Sequence, residues 1–452
     1  MRPLSRRAFL AAAATLHAQP PRPTLPNFVF LMADDLGVFD LGCYGQKLIR
    51  TPHIDRLAAE GMRFTNCYAG ANVCAPSRSV LMTGQHSGHT TVRSNASVRT
   101  GARVALQSTD VTIAEILKGP EWRDAFDDTR AYSTALFGKW GLGEPGTTGL
   151  PNDHGFDEWF GFLNQQHAHS HYPQYLWRNK TKEVIHGNRN ELRREYASDL
   201  FCREALHFID RHRYQPFFLF FSPTVPHARF ESPDLGPYAA EPWPDDAKNY
   251  AAMVTRMDDY VGRILAKLKE CGLDNNTLVF FTSDNGGIFN FAPFQTMGPL
   301  RDRKGSPYDG GTRVPMIARW TGRIRPGAVS DYPWTFYDVL PTLADLAGVR
   351  GIPHNVDGVS VAPTLFGKAQ DPNRPLYWES FGGPEGFHQA VRMGRWKAVR
   401  HGLDGPLELY DLTADPGEKN NVASAHAPVV RKIEAFLAHA RTDAPDYPVP
   451  RR

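Results

Sequence analysis

Four segments of the chain are apolar on consecutive residues and then turn polar at once. They are NFVFLMADD (Asn27 to Asp35), YSTALFGKW (Tyr132 to Trp140), PFFLFFSPTVPH (Pro216 to His227) and TLVFFTSDNG (Thr277 to Gly286). Runs without polar alternation predict strands covered on both faces, as in a parallel sheet buried between helices. Between them the period lengthens. In TPHIDRLAAEG, Thr51 stands at a capping position, Pro52 at the first helical position, Ile54, Leu57 and Ala58 on one face and Gly61 at the stop. ALHFIDRH (Ala205 to His212) and YAAMVTRMDDYVGRILAKLKECG (Tyr250 to Gly272) are further amphipathic helices. Strands alternating with helices predict an α/β fold with a mostly parallel sheet between helices. Toward the C-terminus the pattern changes. LYWES, QAVRMGRWKAVRHG and LELYDL, within residues 376 to 412, read as short strands, and Val429 to Arg441 as an amphipathic helix. That predicts a small C-terminal α+β domain with an antiparallel sheet. The expected boundaries are 23–350 for the large domain and 351–452 for the small one.

At 452 residues the chain exceeds what one core usually supports, which agrees with two units. Its 51 basic and 48 acidic residues leave a net charge of +3, and no Lys/Arg block follows the first few residues, so no nucleic-acid partner is expected. Residues 1–18, MRPLSRRAFLAAAATLHA, pair Arg6 and Arg7 ahead of an alanine-rich apolar run, the pattern of a twin-arginine-type export signal. The run is well short of the roughly 20 residues that span a bilayer, and no later segment resembles a membrane span. The expected location is exported, periplasmic or secreted. Five cysteines, an odd number with no CxxC pair, argue against a zinc site and leave at least one thiol unpaired.

In open parallel sheets, ligands bind beyond the carboxyl ends of the strands. The four runs end there in Asp34 and Asp35, in Lys139, in His227, and in Asp284 and Asn285. Asp34, Asp35, Asp284 and Asn285 offer only oxygen, a set suited to a hard cation, Ca²⁺ or Mg²⁺, rather than zinc. Lys139, His227, Lys304 and Arg78 bring positive charge beside it. A cation with fixed basic groups describes a pocket for a tetrahedral oxyanion ester.

CAPSRSVLMTG, residues 74 to 84, resembles the C-x-P-S-R-x-x-x-x-T-G signature of type I sulfatases, whose cysteine is converted after translation to formylglycine. ADD after the first apolar run, GKW, HGFDEWFG (His154 to Gly161), Pro226-His227, TSDNGG, LRDRKGSPYDGGTRVP (Leu300 to Pro315) and LYDLTADPGEKNNVA (Leu409 to Ala423) accompany it in family order. The resemblance implies an alkaline-phosphatase-like large domain, a Ca²⁺ site with Mg²⁺ as the lesser candidate, and a formylglycine-generating enzyme as maturation partner. It implies Cys74 as precursor of a gem-diol nucleophile that also touches the metal, with Arg78 holding the diol and Asp284 as base. Lys139 and Lys304 would contact the sulfate, and His227, or else Lys304, would protonate the leaving oxygen. One departure stands out: where many family members read GKWHLG, this chain reads GKWGLG, with Gly141 in place of histidine.

NQQHAHSHYPQYLWRN, residues 164 to 179, sets His167, His169 and His171 in alternation and adds Trp177 and Arg178; HSGHTTVRSN contributes Arg93 and Asn95. These are the expected substrate contacts, and one of the histidines is a candidate to fill the gap at Gly141. Gly141 and the histidine-rich stretch resemble the polysaccharide-processing branch of bacterial sulfatases, so the expected substrate is a sulfated carbohydrate. Two other readings stay open: a phosphoester or phosphonate hydrolase of the same superfamily, and a catalytically silent sulfoglycan-binding protein.

Overall fold

The structure is a computed structural model and describes residues 25–119, 132–289, 292–382 and 386–449; the expected export signal lies outside them. In chain order the strands are β1 (Asn27–Ala33), β2 (Met62–Phe64), β3 (Cys67–Tyr68), β4 (Ser133–Lys139), β5 (Glu158–Phe162), β6 (Tyr175–Arg178), β7 (Thr181–Val184) and β8 (Phe217–Ser222). They continue as β9 (Thr277–Ser283), β10 (Met316–Arg319), β11 (Ala328–Ser330), β12 (Trp334–Thr335), β13 (Leu376–Phe381), β14 (Phe387–Met393), β15 (Trp396–His401) and β16 (Leu407–Asp411). The helices are α1 (Pro52–Glu60), α2 (Cys74–Thr83), α3 (Ile113–Lys118), α4 (Ala197–Arg211), α5 (Asp245–Glu270), α6 (Asp309–Thr312), α7 (Val339–Leu346), α8 (Ala362–Leu365) and α9 (Ala427–Leu437).

Ten strands form one sheet in the order β11-β2-β10-β9-β1-β8-β4-β5-β6-β7. The four apolar runs are the neighbouring strands β9, β1, β8 and β4, and β5 extends this parallel centre. The edges are mixed. β10 runs antiparallel to both β9 and β2, and β6 and β7 return as an antiparallel hairpin beside β5. Covered on both faces, β1 sends Phe28, Phe30 and Met32 into one core, and Val29, Leu31 and Ala33 into the other. The first core is closed by residues of α2, α3 and α7, the second by α1, α4 and α5.

α1 buries Ile54, Leu57 and Ala58 as its spacing predicts. Its start is capped differently from the expectation. The Thr51 hydroxyl accepts from the Gly42 amide (2.9 Å) and donates to the Asp55 carboxylate (3.1 Å), while Asp258 of α5 accepts the His53 and Ile54 amides at 3.2 and 2.7 Å. A cap from another helix leaves no trace in local sequence.

The C-terminal sheet is four-stranded and antiparallel, β13-β14-β15-β16. Its faces alternate. Tyr377, Val391, Ala398 and Leu409 pack with Ile433 and Leu437 of α9, whereas Leu376, Trp378, Ala390, Val399 and Tyr410 join the core of the large sheet. Two buried polar contacts fix the join: the Trp378 indole donates to the Ala69 carbonyl (2.8 Å), and Lys397 Nζ lies 2.9 Å from Asp309 Oδ1. Tyr68 donates to the other oxygen of the same carboxylate at 2.9 Å.

Lys397 and Asp309 are both wholly buried, and without Lys397 the carboxylate would be left with the Tyr68 hydroxyl and the more distant Arg313 guanidinium, 3.7 Å away. Lys397→Ala is expected to lower the stability of the folded chain by about 3–5 kcal/mol. A urea unfolding midpoint unchanged from the parent would contradict this account of the join.

Candidate active site

The chain turns sharply where β1 ends. Asp35 adopts a left-handed conformation (φ 68°), uncommon for a residue with a side chain. Neighbouring strand ends hold it there. The Asp34 amide donates to Val225 O (3.0 Å), the Asp35 amide to Asp284 Oδ1 (3.1 Å) and the Leu36 amide to Ser283 Oγ (2.8 Å). Asp34, Asp35, Asp284 and Asn285 therefore meet, fully buried, at the carboxyl end of the sheet centre.

α2 begins at Cys74, and every residue of the helix is buried. Its N-cap, Val73, has no side chain able to accept from the helix amides; Asn95 reaches in from a following loop and accepts the Ala75 amide at 3.0 Å. Arg78 lies one turn further on, on the side of the helix shared with Cys74. Its guanidinium is fully engaged: Nε and Nη2 reach Asp284 Oδ2 at 3.1 and 2.8 Å, and Nη1 donates to Lys139 O (2.5 Å) and Ser222 Oγ (2.7 Å). Arg78 is thus the brace behind the cluster.

The other cations stand in front. Lys139 Nζ is 2.7 Å from Asp34 Oδ2, and Lys304 Nζ is 2.7 Å from Asp35 Oδ1 and 3.3 Å from Cys74 Sγ. Burial opposes both ammonium charges, yet Asp34 and Asp35 outweigh it and hold the two groups above their usual range. Burial likewise opposes the Asp34 carboxylate, and Lys139, His227, Arg78 and Lys304 together hold it well below its usual range. Asp284 moves the other way: burial and the charge of Asp34 push it up despite Arg78.

His227 follows β8. Its Nδ1 faces the Ala228 carbonyl, which can only accept, so Nδ1 carries the proton and Nε2 points inward. Nε2 is 3.4 Å from Asp35 Oδ2 and 3.5 Å from Lys304 Nζ. Ligand atoms of Asp34, Asp35, Cys74 and His227 all lie within 4.8 Å of one another.

The donor set fits a hard divalent cation. Asn285 donates through Nδ2 to Asp35 Oδ1 (2.7 Å) and Gly286 O (2.9 Å), while its buried Oδ1 has no hydrogen-bond partner. A buried amide oxygen left bare beside carboxylates is an oxygen ligand ready for such an ion.

The structure sorts the expected substrate contacts. His169 is exposed and stacks on His227 (ring centroids 4.7 Å apart, 20° between planes). His171 lies behind, buried, its Nε2 donating to the His227 carbonyl at 3.1 Å. His167 turns away, packing against Phe162 and Tyr175. Arg93 is not a pocket residue: its buried guanidinium pairs with Glu379 (3.2 Å) and donates to Thr442 O (2.7 Å), fastening the C-terminal part. Asn95 serves the start of α2. Trp177 and Arg178 run with β6 away from the cluster; Arg178 is consumed by Glu183 and Glu204 above the Phe160 ring, and Trp177 packs on the core.

None of the three histidines fills the place opened by Gly141. That residue has φ 85°, and a Cβ built on it would meet Gln165 Nε2 at 2.7 Å, with Arg78 Cδ next at 3.7 Å. Gln165 donates to the Gly141 carbonyl at 3.1 Å. Sequence reasoning missed Gln165, although it stands in the same NQQH stretch. It also missed Ser222 and Ser283, hidden as ordinary ends of apolar strands.

The described residues contain no helix long and apolar enough to cross a membrane. A family model described as Sulfatase matches residues 26–349, and one described as N-sulphoglucosamine sulphohydrolase, C-terminal, matches residues 303–443. The chain is 30% identical to a steryl-sulfatase of Mus musculus, over 95% of this chain and 85% of that protein. It is 32% identical to an N-acetylgalactosamine-6-sulfatase of Canis lupus familiaris, over 97% and 90%. The solved structure of Ps i-CgsB in complex with k-i-k-neocarrahexaose superposes with a TM-score of 0.79 at 29% identity, covering 93% of this chain and 94% of that one. A phosphonate monoester hydrolase from Silicibacter pomeroyi, 21% identical with a TM-score of 0.66 over 92% and 95%, shares the fold. With the model matched across the whole parallel sheet and relatives aligned almost end to end, this chain belongs to the sulfatase family and is a sulfuric ester hydrolase.

Proposed function

We propose that the chain removes sulfate from a sulfated carbohydrate, with the side chain at position 74, converted to formylglycine, as its nucleophile. The observation that carries this is the meeting of Cys74 with Lys304 (3.3 Å) at the start of α2, in a cluster where Lys139 and Lys304 face Asp34 and Asp35. A sugar as substrate is supported by the relative named N-acetylgalactosamine-6-sulfatase and by the structural neighbour in complex with k-i-k-neocarrahexaose.

The protein's own groups make the unmodified thiol a poor nucleophile. Burial pushes Cys74 up to about 12, against the pull of Lys139 and Lys304, and a protonated thiol attacks weakly. Conversion supplies instead a hydrated aldehyde, whose hydroxyl oxygen attacks sulfur and whose collapse releases sulfate. Asp284, raised by burial and held in place by Arg78, is the base that takes the hydroxyl proton. Lys139 and Lys304 neutralise the sulfate oxygens. As an imidazolium, with its Nδ1 proton held by the Ala228 carbonyl, His227 gives its second proton through Nε2 to the leaving sugar oxygen and is left neutral. Asp34, Asp35, Asp284 and Asn285, beside position 74, would hold Ca²⁺, with Mg²⁺ second, and the ion would polarise the sulfate ester. Export through the twin-arginine-type leader and maturation by a formylglycine-generating enzyme belong to the same proposal.

Active material should carry a peptide around position 74 lighter than the thiol form by the thiol-to-aldehyde difference, read by intact and peptide mass. Full activity with an unmodified thiol would overturn the nucleophile, and faster turnover of an aryl phosphate than of the matched aryl sulfate would favour the phosphoester reading. Exhaustive removal of divalent cations should abolish aryl sulfate hydrolysis, with Ca²⁺ restoring it more fully than Mg²⁺; a metal-free protein of undiminished rate would refute the cation site. His227→Ala should lower kcat by about 10²–10⁴-fold, the usual contribution of a general acid, while leaving the melting temperature nearly unchanged. A rate within a factor of about two of the parent's would remove His227 from the proton transfer.

A further inference from the structure

Beside the cluster lies a cavity of about 320 Å³, lined among others by His169, Tyr172, Gln174, Arg193, Arg229 and Glu231. Pockets of small ligands span about 300–1,000 Å³, so the space suits one sugar unit. It adjoins the site through His169, whose ring stacks on His227.

The wall is built rather than incidental. Arg193 pairs with Glu231 at 2.9 Å and lies 4.6 Å above the Tyr172 ring. The buried Tyr196 packs edge-on to Tyr172 and donates its hydroxyl to the Glu231 carbonyl at 2.9 Å. Just before this segment, His171 grips the His227 carbonyl at 3.1 Å.

Arg229 differs from Arg193. It stands two residues after the proposed acid, exposed, and makes no ion pair among the described residues. Glu191, at the rim, means the cavity is no general trap for anions, so selection falls to one directional guanidinium. A planar fork of this kind matches a carboxylate or a sulfate with two parallel hydrogen bonds.

Resting on the sulfatase reading above, we infer that this cavity takes a sugar unit of the substrate and that Arg229 binds a second anionic group on it, a carboxylate or a sulfate other than the one removed. Tyr172 and Gln174 offer that unit an aromatic edge and an amide. Such a subsite makes the chain selective for glycans charged at more than one position.

The test compares the parent and Arg229→Ala on 4-nitrocatechol sulfate and on sulfated disaccharides in matched pairs, with and without a uronate carboxylate, and with and without a second sulfate. Arg229→Ala is expected to lower kcat/KM on the doubly anionic members by about tenfold or more, the loss of one charge-assisted bond, chiefly through KM. On their singly charged partners and on the aryl sulfate the loss should be smaller by about that factor, and Arg229→Lys should restore part of it. The pair that responds identifies the anion as carboxylate or sulfate. Equal losses on all substrates, or no loss on any, overturn the subsite. Should the parent, with position 74 converted, release sulfate from none of the saccharides, the reading of its substrate as a sulfated carbohydrate falls. Equilibrium binding of the same saccharides to both full-length proteins then decides the subsite: about tenfold weaker binding confined to the doubly anionic members supports it, and equal affinities overturn it.

Discussion

Burying three carboxylates together is unfavourable unless each finds positive charge, and the centre of this protein is organised around that constraint. Asp34, Asp35 and Asp284 meet because the parallel strands β1 and β9 end side by side, and Lys139, Lys304 and Arg78 answer them. Arg78 and Lys139 are wholly buried, while Lys304 reaches solvent. Arg78 faces Asp284 from behind, tied also to Lys139 O and Ser222 Oγ, so it is part of the scaffold. Lys139 and Lys304 each end in a single ammonium on a flexible stem, which in the proposed reaction would turn from its carboxylate toward the sulfate.

The same constraint explains why α2 is buried along its whole length. A helix that delivers Cys74 and Arg78 to the sheet end must be held on every side, and the C-terminal sheet supplies one of those sides. Trp378 bonds Ala69, a few residues before Cys74, and Arg93, a few residues after the helix, is fixed by Glu379 and Thr442. The small sheet thereby ties down the segments that lead into and out of α2.

Much of this was legible in the chain. Unbroken apolar runs ending in acids, amide, lysine and histidine announced both the parallel centre and the cluster, because strand burial and ligand chemistry leave their marks on adjacent residues. The mixed edges were less visible: β10 is only four residues long, and its direction depends on how the preceding segment returns. Arg93 and Arg178 looked like anion receptors because sequence shows a charge and hides its partner. Glu379 lies 286 positions from Arg93, and Glu204 lies 26 from Arg178, so neither pairing is local. Gln165 was passed over for the reverse reason: a neutral amide advertises nothing until a glycine elsewhere makes room for it.

That glycine constrains how the lineage could have changed. A side chain at 141 would need an unfavourable backbone at φ 85° and would strike Gln165 at 2.7 Å. A side chain placed at 141 therefore asks the flexible end of Gln165 to swing aside and the backbone to bear a left-handed conformation. Position 165 could in turn lose its bulk only by leaving a void beside Arg78. Positions 141 and 165 are thus coupled, and a side chain gained at the first is felt at the second.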